Sequence, residues 1–441
     1  MKKLNFITYI KLHIINLFII TLLLFGCQGE STSVKQIPEG QRIDIFKAFQ
    51  EKKEVLLSSV AESVDYILLE NCEKGFISEP YQIVLVDSLI LIIAFQKVAV
   101  FSRHNGRYKY SVSSFGRGPD EYVATFSNGW DAKSELIYLE SQKQDHIFGL
   151  NITGEKVAEF DKPQRNFEEI GKEYFIGSFY SYSEGNWIGY SENISGYNPN
   201  RLEIFNSKGE VLDRIPNFSR FDKAKYTGSW RPYDDGWFYY FKDSLRFFEM
   251  YNDTIFTISG TQLIPTFYFE MNELSPPYYL QAVNLGLDFE HYNYFNIDKI
   301  CESDRFLFFT LRYKDFRHLC YYDKITNDIK VCDTNPGEKD NYKVFSEYKD
   351  LPVLGKLKFE KELKTIGFIN DLDNFIPFGV GNNCIHISKD GFLTGYITAS
   401  DARKWIDNNP TGELNLNEKA KSVLSTASTD NIIVMIVKLR E

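Results

Sequence analysis

The sequence predicts an all-β chain: a six-bladed β-propeller with four-stranded blades, a ring closed by the terminal strands, and small helical insertions. Three observations carry this expectation. Aromatic residues make up 16% of the 441 residues, with 37 Phe and 28 Tyr, and such side chains suit pleated, half-buried surfaces. A strand–turn–strand unit recurs along the chain with glycine at the turn. A further strand pair lies upstream of most of these units.

The recurring unit is clearest in three places. "VAVFSRHNGRYKYSV" (Val98–Val112), "HIFGLNITGEKVAEF" (His146–Phe160) and "RLEIFNSKGEVLDRI" (Arg201–Ile215) each read as strand, Asn/Gly turn, strand. Glycine supplies positive φ and asparagine closes the turn locally. Gly106, Gly154 and Gly209 lie 48 and 55 residues apart, an interval that suits a four-stranded propeller blade. Weaker copies follow in "FEMYNDTIFTI" (Phe248–Ile258), "LCYYDKITNDIKVC" (Leu319–Cys332) and "CIHISKDGFLTGYI" (Cys384–Ile397), with turns at Asn252-Asp253, Thr326-Asn327 and Asp390-Gly391. "YQIVLVDSLILIIAF" (Tyr81–Phe95) and "WDAKSELIYLE" (Trp130–Glu140) are the upstream pairs. Six such units suit a closed ring, whose radial packing leaves only short sheet edges. The competing architecture is a pair of β-sandwiches, but no midpoint segment reads as an interdomain linker.

The ends are expected to meet. "VDYILLE" (Val64–Glu70) precedes the first full blade and "NIIVMIVKLRE" (Asn431–Glu441) follows the last, so one or both should complete the final sheet. "ASDARKWIDN" (Ala399–Asn408) and "NEKAKSVLSTA" (Asn417–Ala427) read as helices among the late strands. "LSPPYYLQAVNLGLDFEHYNYF" (Leu274–Phe295) reads as a partly helical insertion over one propeller face.

Residues 1–26 read as a leader: Lys2, Lys3 and Lys11 precede the apolar run "IINLFIITLLLFG" (Ile14–Gly26), which is too short to span a bilayer comfortably. Its end, "LLLFGC", resembles the lipobox of bacterial lipoproteins, which implies cleavage before Cys27 and lipidation of that residue. Several acyl chains would anchor the chain stably. Residues 27–58 read as a flexible tether and lead-in, and 59–441 as the propeller. Formal net charge is −10, and without a basic tract this argues against a nucleic-acid partner. Cys72, Cys301, Cys320, Cys332 and Cys384 are an odd, sparse set, expected as buried free thiols rather than a disulfide framework. No C-x-x-C is present.

"SVAESVDYILLE" (Ser59–Glu70), "SSFGRGPDEY" (Ser113–Tyr122), "MYNDTIFTI" (Met250–Ile258), "GFINDLDNFIPF" (Gly367–Phe378) and "DNIIVMIVKL" (Asp430–Leu439) occur in this order. Together they resemble the six-bladed β-propeller lipoproteins of Bacteroidota, which are NHL-like in pattern. The family pattern commonly has Gly-Pro-Gly-Glu-Tyr where this chain has Asp120, and Asn-Pro where it has Asn431-Ile432. The resemblance implies an exported, membrane-anchored propeller and carries over no catalytic residue.

"SSFGRGPDEY" is the segment most suggestive of chemistry. It lacks the Lys and Ser/Thr of a P-loop, and Pro119 removes an N–H donor. It reads as the crossover from the first blade to the second, with Arg117, Asp120 and Glu121 as candidate binding residues. Arg117 either braces the turn against those acids or lines the central opening. His104, His146, His291, His318 and His386 form no H-x-x-x-H or H-E-x-x-H pair. Asp371 and Asp373 share one face of an extended segment, as a metal or acid–base pair or as turn formers. Trp187, Trp230, Trp237 and the insertion tyrosines suit either sugar stacking or inter-blade packing. No G-x-S-x-G elbow occurs. No cofactor and no metal are expected. The leading expectation is a binding or assembly module at the bacterial envelope, lipid-anchored to a membrane, with a glycan, peptide or envelope protein as partner. The alternative is a hydrolase or lyase with its site at the axial opening.

Overall fold

The computed structural model describes residues 41–71, 77, 80–94, 97–114, 116, 122–124, 129–141, 146–163, 176–193, 196–222, 236–282, 293–314, 316–333, 364–373, 376–379, 386–408, 416, 418–428 and 431–441. Strand β1 (Gln41–Ile43), helix α1 (Ile45–Gln50) and strand β2 (Ala61–Leu68) come first. Blade one is β3 (Pro80–Val86), β4 (Leu89–Ala94), β5 (Lys97–Ser102) and β6 (Tyr108–Ser114). Blade two has a split inner strand, β7 (Tyr122–Ala124) and β8 (Trp130–Asp131), then β9 (Leu136–Ser141), β10 (His146–Leu150) and β11 (Lys156–Asp161). Blade three is β12 (Ile176–Ser183), β13 (Asn186–Ser191), β14 (Asn200–Asn206) and β15 (Val211–Pro216). Blade four is β16 (Gly236–Phe241), β17 (Ser244–Glu249), β18 (Thr254–Ser259) and β19 (Gln262–Phe269). Blade five is β20 (Asn296–Glu302), β21 (Phe306–Tyr313), β22 (Phe316–Asp323), β23 (Ile329–Val331) and β24 (Lys364–Ile366). Blade six contains β25 (His386–Ile387), β26 (Phe392–Thr398), helices α2 (Ala399–Asn408) and α3 (Glu418–Thr426), and β27 (Ile432–Leu439).

These strands form six sheets, the expected six-bladed propeller. The ring closes as the sequence leads one to expect: β2 is the outer strand of blade six and pairs antiparallel with β27, from Ala61 opposite Leu439 to Leu68 opposite Ile433. β27 reads IIVMIVKL because nearly all of it is buried, and a strand covered on both faces does not alternate.

Each gap between neighbouring blades holds one apolar cluster. Blades two and three meet through an aromatic one, Tyr138, Phe160, Phe179, Trp187 and Phe205 with Ile147, in which Phe160 stacks on Trp187 at 3.9 Å. The gap between blades five and six is the most populous; it takes in Leu319, Cys332, Leu393 and Met435 and both late helices, through Ala402 of α2 and Ala420 of α3.

The repeated glycines do more than turn the chain. A Cβ on Gly106 (φ 69°) would lie 1.9 Å from the carbonyl oxygen of Leu68 on β2, so the outer turn of blade one sits directly on the outer strand of blade six. Gly154 and Gly209 meet Val112 O and Lys162 O in the same way, each on the blade before its own. The sequence period is therefore a record of blade-to-blade docking. Two of the six sequence units are out of phase with the rest. Asn252-Asp253 joins the second and third strands of blade four, and Asp390-Gly391 joins the first and second of blade six. The other four join third and fourth strands. Any tight turn between two strands gives the same local signal, so phase is not legible in it.

The lead-in to residue 58 is the larger correction. Its described part, residues 41–58, is built into the propeller rather than hanging from it. β1 adds a fifth, parallel strand to blade four, with Gln41 opposite Phe267 and Ile43 opposite Phe269. Asp44 caps α1 by accepting from Lys47 N at 2.9 Å. Beyond it, Lys53 bridges Cys332 and Leu56 bridges Ile369, both in parallel, along the edge of blade five. Ile43, Ile45, Val55 and Leu57 are buried there. Residues 41–60 thus form a belt over the outer edges of blades four and five that runs into the closing strand of blade six. A three-residue strand carries too little alternation to be read from sequence.

Candidate binding site at the axial mouth

An antiparallel meander puts the first and third turns of every blade on one face of the disc, the lower face. The second turns and the blade-to-blade crossovers lie on the other, the upper face. On the lower face a cavity of about 1150 Å³ opens, lined by the first turns of blades two, four, five and six, by Ile325 and by Lys438–Glu441.

The walls carry both charges, and most of these are paired. Lys242 of blade four meets Asp304 of blade five at 3.1 Å, and Lys389 of blade six reaches Glu135 of blade two at 2.5 Å, past the turn of blade one. Arg305 holds Asp323 at 2.9 Å and donates to the carbonyl of Glu441 at 3.1 Å. Deeper in the wall, buried Glu302 accepts from Lys324 at 3.0 Å, Tyr239 Oη at 3.2 Å and Arg246 at 3.3 Å. Lys324 also lies 4.1 Å from the centre of the Phe241 ring.

Lys133 differs. Its Nζ donates to Tyr182 O at 2.8 Å and to Tyr240 Oη at 3.1 Å, and lies 4.9 Å from the Tyr240 ring centre. Among the described residues no carboxylate forms an ion pair with it. The turn that presents Lys133 is rigid. Asp131, fully buried, accepts from Lys133 N at 2.9 Å and from Ser181 N at 3.2 Å, and also from Ser181 Oγ. Burial, and then the Asp131 carboxylate, push the Tyr240 phenol up, so it stays a neutral hydrogen-bonding partner.

The residues singled out in the sequence fare differently. Arg117, Asp120 and Glu121 lie outside the described residues, as do Cys27, Cys72, Cys384, His291 and Trp230. The ends of their loop are in place: Gly116 N donates to Tyr122 O at 3.0 Å and Tyr122 is fully buried. The loop joins β6 to β7, so it is the expected crossover, and it springs from the upper face, opposite the mouth. Asp371 and Asp373 prove to be structural. Asp371 accepts from Ser58 N at 2.9 Å and from Ser58 Oγ at 2.5 Å, pinning the belt, and Asp373 accepts from Asn370 at 2.6 Å and Tyr66 at 3.1 Å. Trp187 packs between blades, and Trp237 lies half-buried with Lys299 4.8 Å above its ring. Cys301, Cys320 and Cys332 are buried free thiols.

The described histidines are scattered. His104 sits in an exposed outer turn, and His146 lies between Glu159 (2.6 Å) and Asp161 (2.8 Å) on blade two. His318 is buried on β22, where Cys332 O lies 2.7 Å from its Nδ1 and desolvation pushes it down to about 4. His386, beside the mouth-lining Ile387, is also pushed down to about 4 by burial. Among the described residues no three His, Cys, Asp or Glu side chains converge as metal ligands would. The mouth lysines had no sequence signal, because each is a single turn residue on a different blade.

No curated protein matches the chain. Its fold is similar to that of a protein from Bacteroides fragilis NCTC 9343 provisionally described as exported, at a TM-score of 0.61 and 17% identity over 88% of this chain and 99% of that one. A member of the duf4221 family from Bacteroides vulgatus ATCC 8482 aligns at a TM-score of 0.46 and 11% identity, over 87% and 98% of the two chains. At such identities the likeness concerns the fold alone. Membership rests instead on the family model, which matches residues 40–438: the chain belongs to the family described as a domain of unknown function, DUF4934.

Proposed function

We propose that this chain is an exported, membrane-anchored propeller that binds an acidic ligand at the axial mouth of its lower face. Lys133 carries the reading. It is an exposed ammonium on a rigid turn, held by two neutral oxygens, whereas the mouth lysines Lys242 and Lys389 are paired with Asp304 and Glu135. A ligand carboxylate, sulfate or phosphate placed there gains an opposite charge without breaking an ion pair. The size of the mouth, about 1150 Å³, suits several sugar or peptide residues. Export and anchoring rest on the leader and on Cys27. Among the described residues no helix is long and apolar enough to cross a membrane.

Arrays of acidic and neutral glycans and peptides test the site. Acidic members should bind, Lys133→Ala should weaken them at least tenfold, and Lys133→Arg should retain them. Binding that ignores ligand charge, or that survives Lys133→Ala, overturns the reading. Palmitate labelling that persists in Cys27→Ala overturns the anchor.

A further inference from the structure

The upper face carries a feature of a different kind. Phe218 is 86% exposed and Tyr197 59% exposed, on two loops of blade three. An exposed ring is ordinary on a mobile loop, but these loops are locked together. Asn193 is fully buried; it accepts from Asn198 N at 2.9 Å and donates to Ser219 O at 3.1 Å. Asn217, also buried, accepts from Ser219 N at 3.0 Å and donates to Tyr278 Oη of the insertion at 3.2 Å, while its own N–H donates to Pro199 O at 2.7 Å. Gly196 has φ 80°, and a Cβ there would lie 2.0 Å from Phe221 O, so the loop backbones touch. Phe221 in turn meets the Tyr278 ring edge-on at 6.0 Å. Beneath them Glu249, fully buried, accepts from Tyr278 at 2.9 Å and Tyr190 at 2.8 Å and faces Arg201 at 3.4 Å. Arg220 stands beside the exposed rings. It donates to Tyr197 O, and no carboxylate of a described residue forms an ion pair with it.

We infer that these loops form a protein-docking knob, with Phe218 as its anchor and Arg220 as its charge contact. The partner is a protein with an apolar pocket edged by an Asp or Glu. The charges point to that chemistry, since Arg220 is the unneutralised cation beside the projecting ring. Preorganisation points the same way: a ring held out on a locked loop loses little freedom when it enters a pocket, and aromatic and arginine side chains are the usual anchors of protein interfaces. A lipid surface is a poorer fit. Two rings and one cation make a weak bilayer anchor, and a chain of net charge −10 is repelled by anionic lipids.

The test places a photo-reactive p-benzoylphenylalanine at position 218 of the full chain, expressed in its own cells, with position 264 on the rim as control. The expected result is one discrete protein adduct specific to position 218, mapped by mass spectrometry to apolar residues beside an Asp or Glu. Arg220→Glu should cut its yield at least tenfold, and exchanging the mapped acid for Lys should restore it. A lipid adduct, an adduct with another copy of this chain, no adduct beyond the control, or a yield indifferent to Arg220→Glu overturns the inference.

Discussion

The two halves of the ring are held differently. Blades four to six carry the belt: β1 on the edge of blade four, residues 53–56 along blade five, and β2 as the outer strand of blade six. Blades one to three end on β6, β11 and β15, whose outer edges pair with no other strand among the described residues. The belted gaps are extended by belt residues, Ile43, Ile45 and Ala48 between blades four and five and Val55, Leu57 and Val60 between five and six. The unbelted gap between blades two and three relies on five packed aromatics, Trp187 stacked on Phe160 and Phe205 with Tyr138 and Phe179 meeting Phe160 edge-on, and one Ile. Unpaired edges invite association, and here they carry charges (Lys156, Glu159, Asp213 and Arg214) with Pro216 at the end of β15. A propeller edge is thus managed in two ways, by covering it with the chain's own lead-in or by making it an unattractive template.

The sharpest way to break this contrast is to loosen the belt. Ile45 and Leu57 are fully buried, and replacing both with Ala is expected to cost roughly 4–10 kcal/mol together, at about 2–5 kcal/mol each. Denaturant titration measures the loss. Hydrogen exchange should show lost protection at β19, β22 and β23 while β4 and β9 stay protected. Uniform loss around the ring would mean that the halves are not separable.

Acid comes next. His318 packs under the belt, 5.4 Å from the Phe49 ring of α1, and takes a proton in the fold only near pH 4. The unfolded chain takes it near pH 6.5, so this contribution is present above about 6.5 and is lost as pH falls from there to about 4, by about 3 kcal/mol at most. His386 on blade six acts with the same sign. Stability measured across that window should slope for the wild type and less steeply for His318→Leu. An unchanged slope would remove His318 from the account.

The smallest effect is expected on the bare side. Val157 and Leu212 are 52% and 53% exposed on β11 and β15. Val157→Lys and Leu212→Lys should each change stability by less than about 0.5 kcal/mol. A larger loss would show that these edges are covered in solution.

How much was legible follows from the range of each signal. Gly106, Gly154 and Gly209 announced their turns because a left-handed backbone is a local demand, and β27 announced itself as an unbroken apolar run. Helices Ala399–Asn408 and Glu418–Thr426 fell where composition placed them. Gln41–Ile43 gave no sign of being a strand, since its partner β19 lies more than 200 residues away. Lys133, Lys242 and Lys389 look like ordinary turn lysines until the ring brings them to one mouth. Phe218 in "PNFSRF" looks like any core phenylalanine.

Turn chemistry, apolar runs and the matched strands at the two ends were enough, from sequence alone, to define a closed ring of six four-stranded sheets. These are short-range properties, set by φ and by side-chain polarity. Tertiary structure alone decided which edges the chain covers, which charges stay unpaired and which rings stay exposed. Each of those depends on what packs beside a residue, and in a ring the neighbour comes from a distant part of the chain.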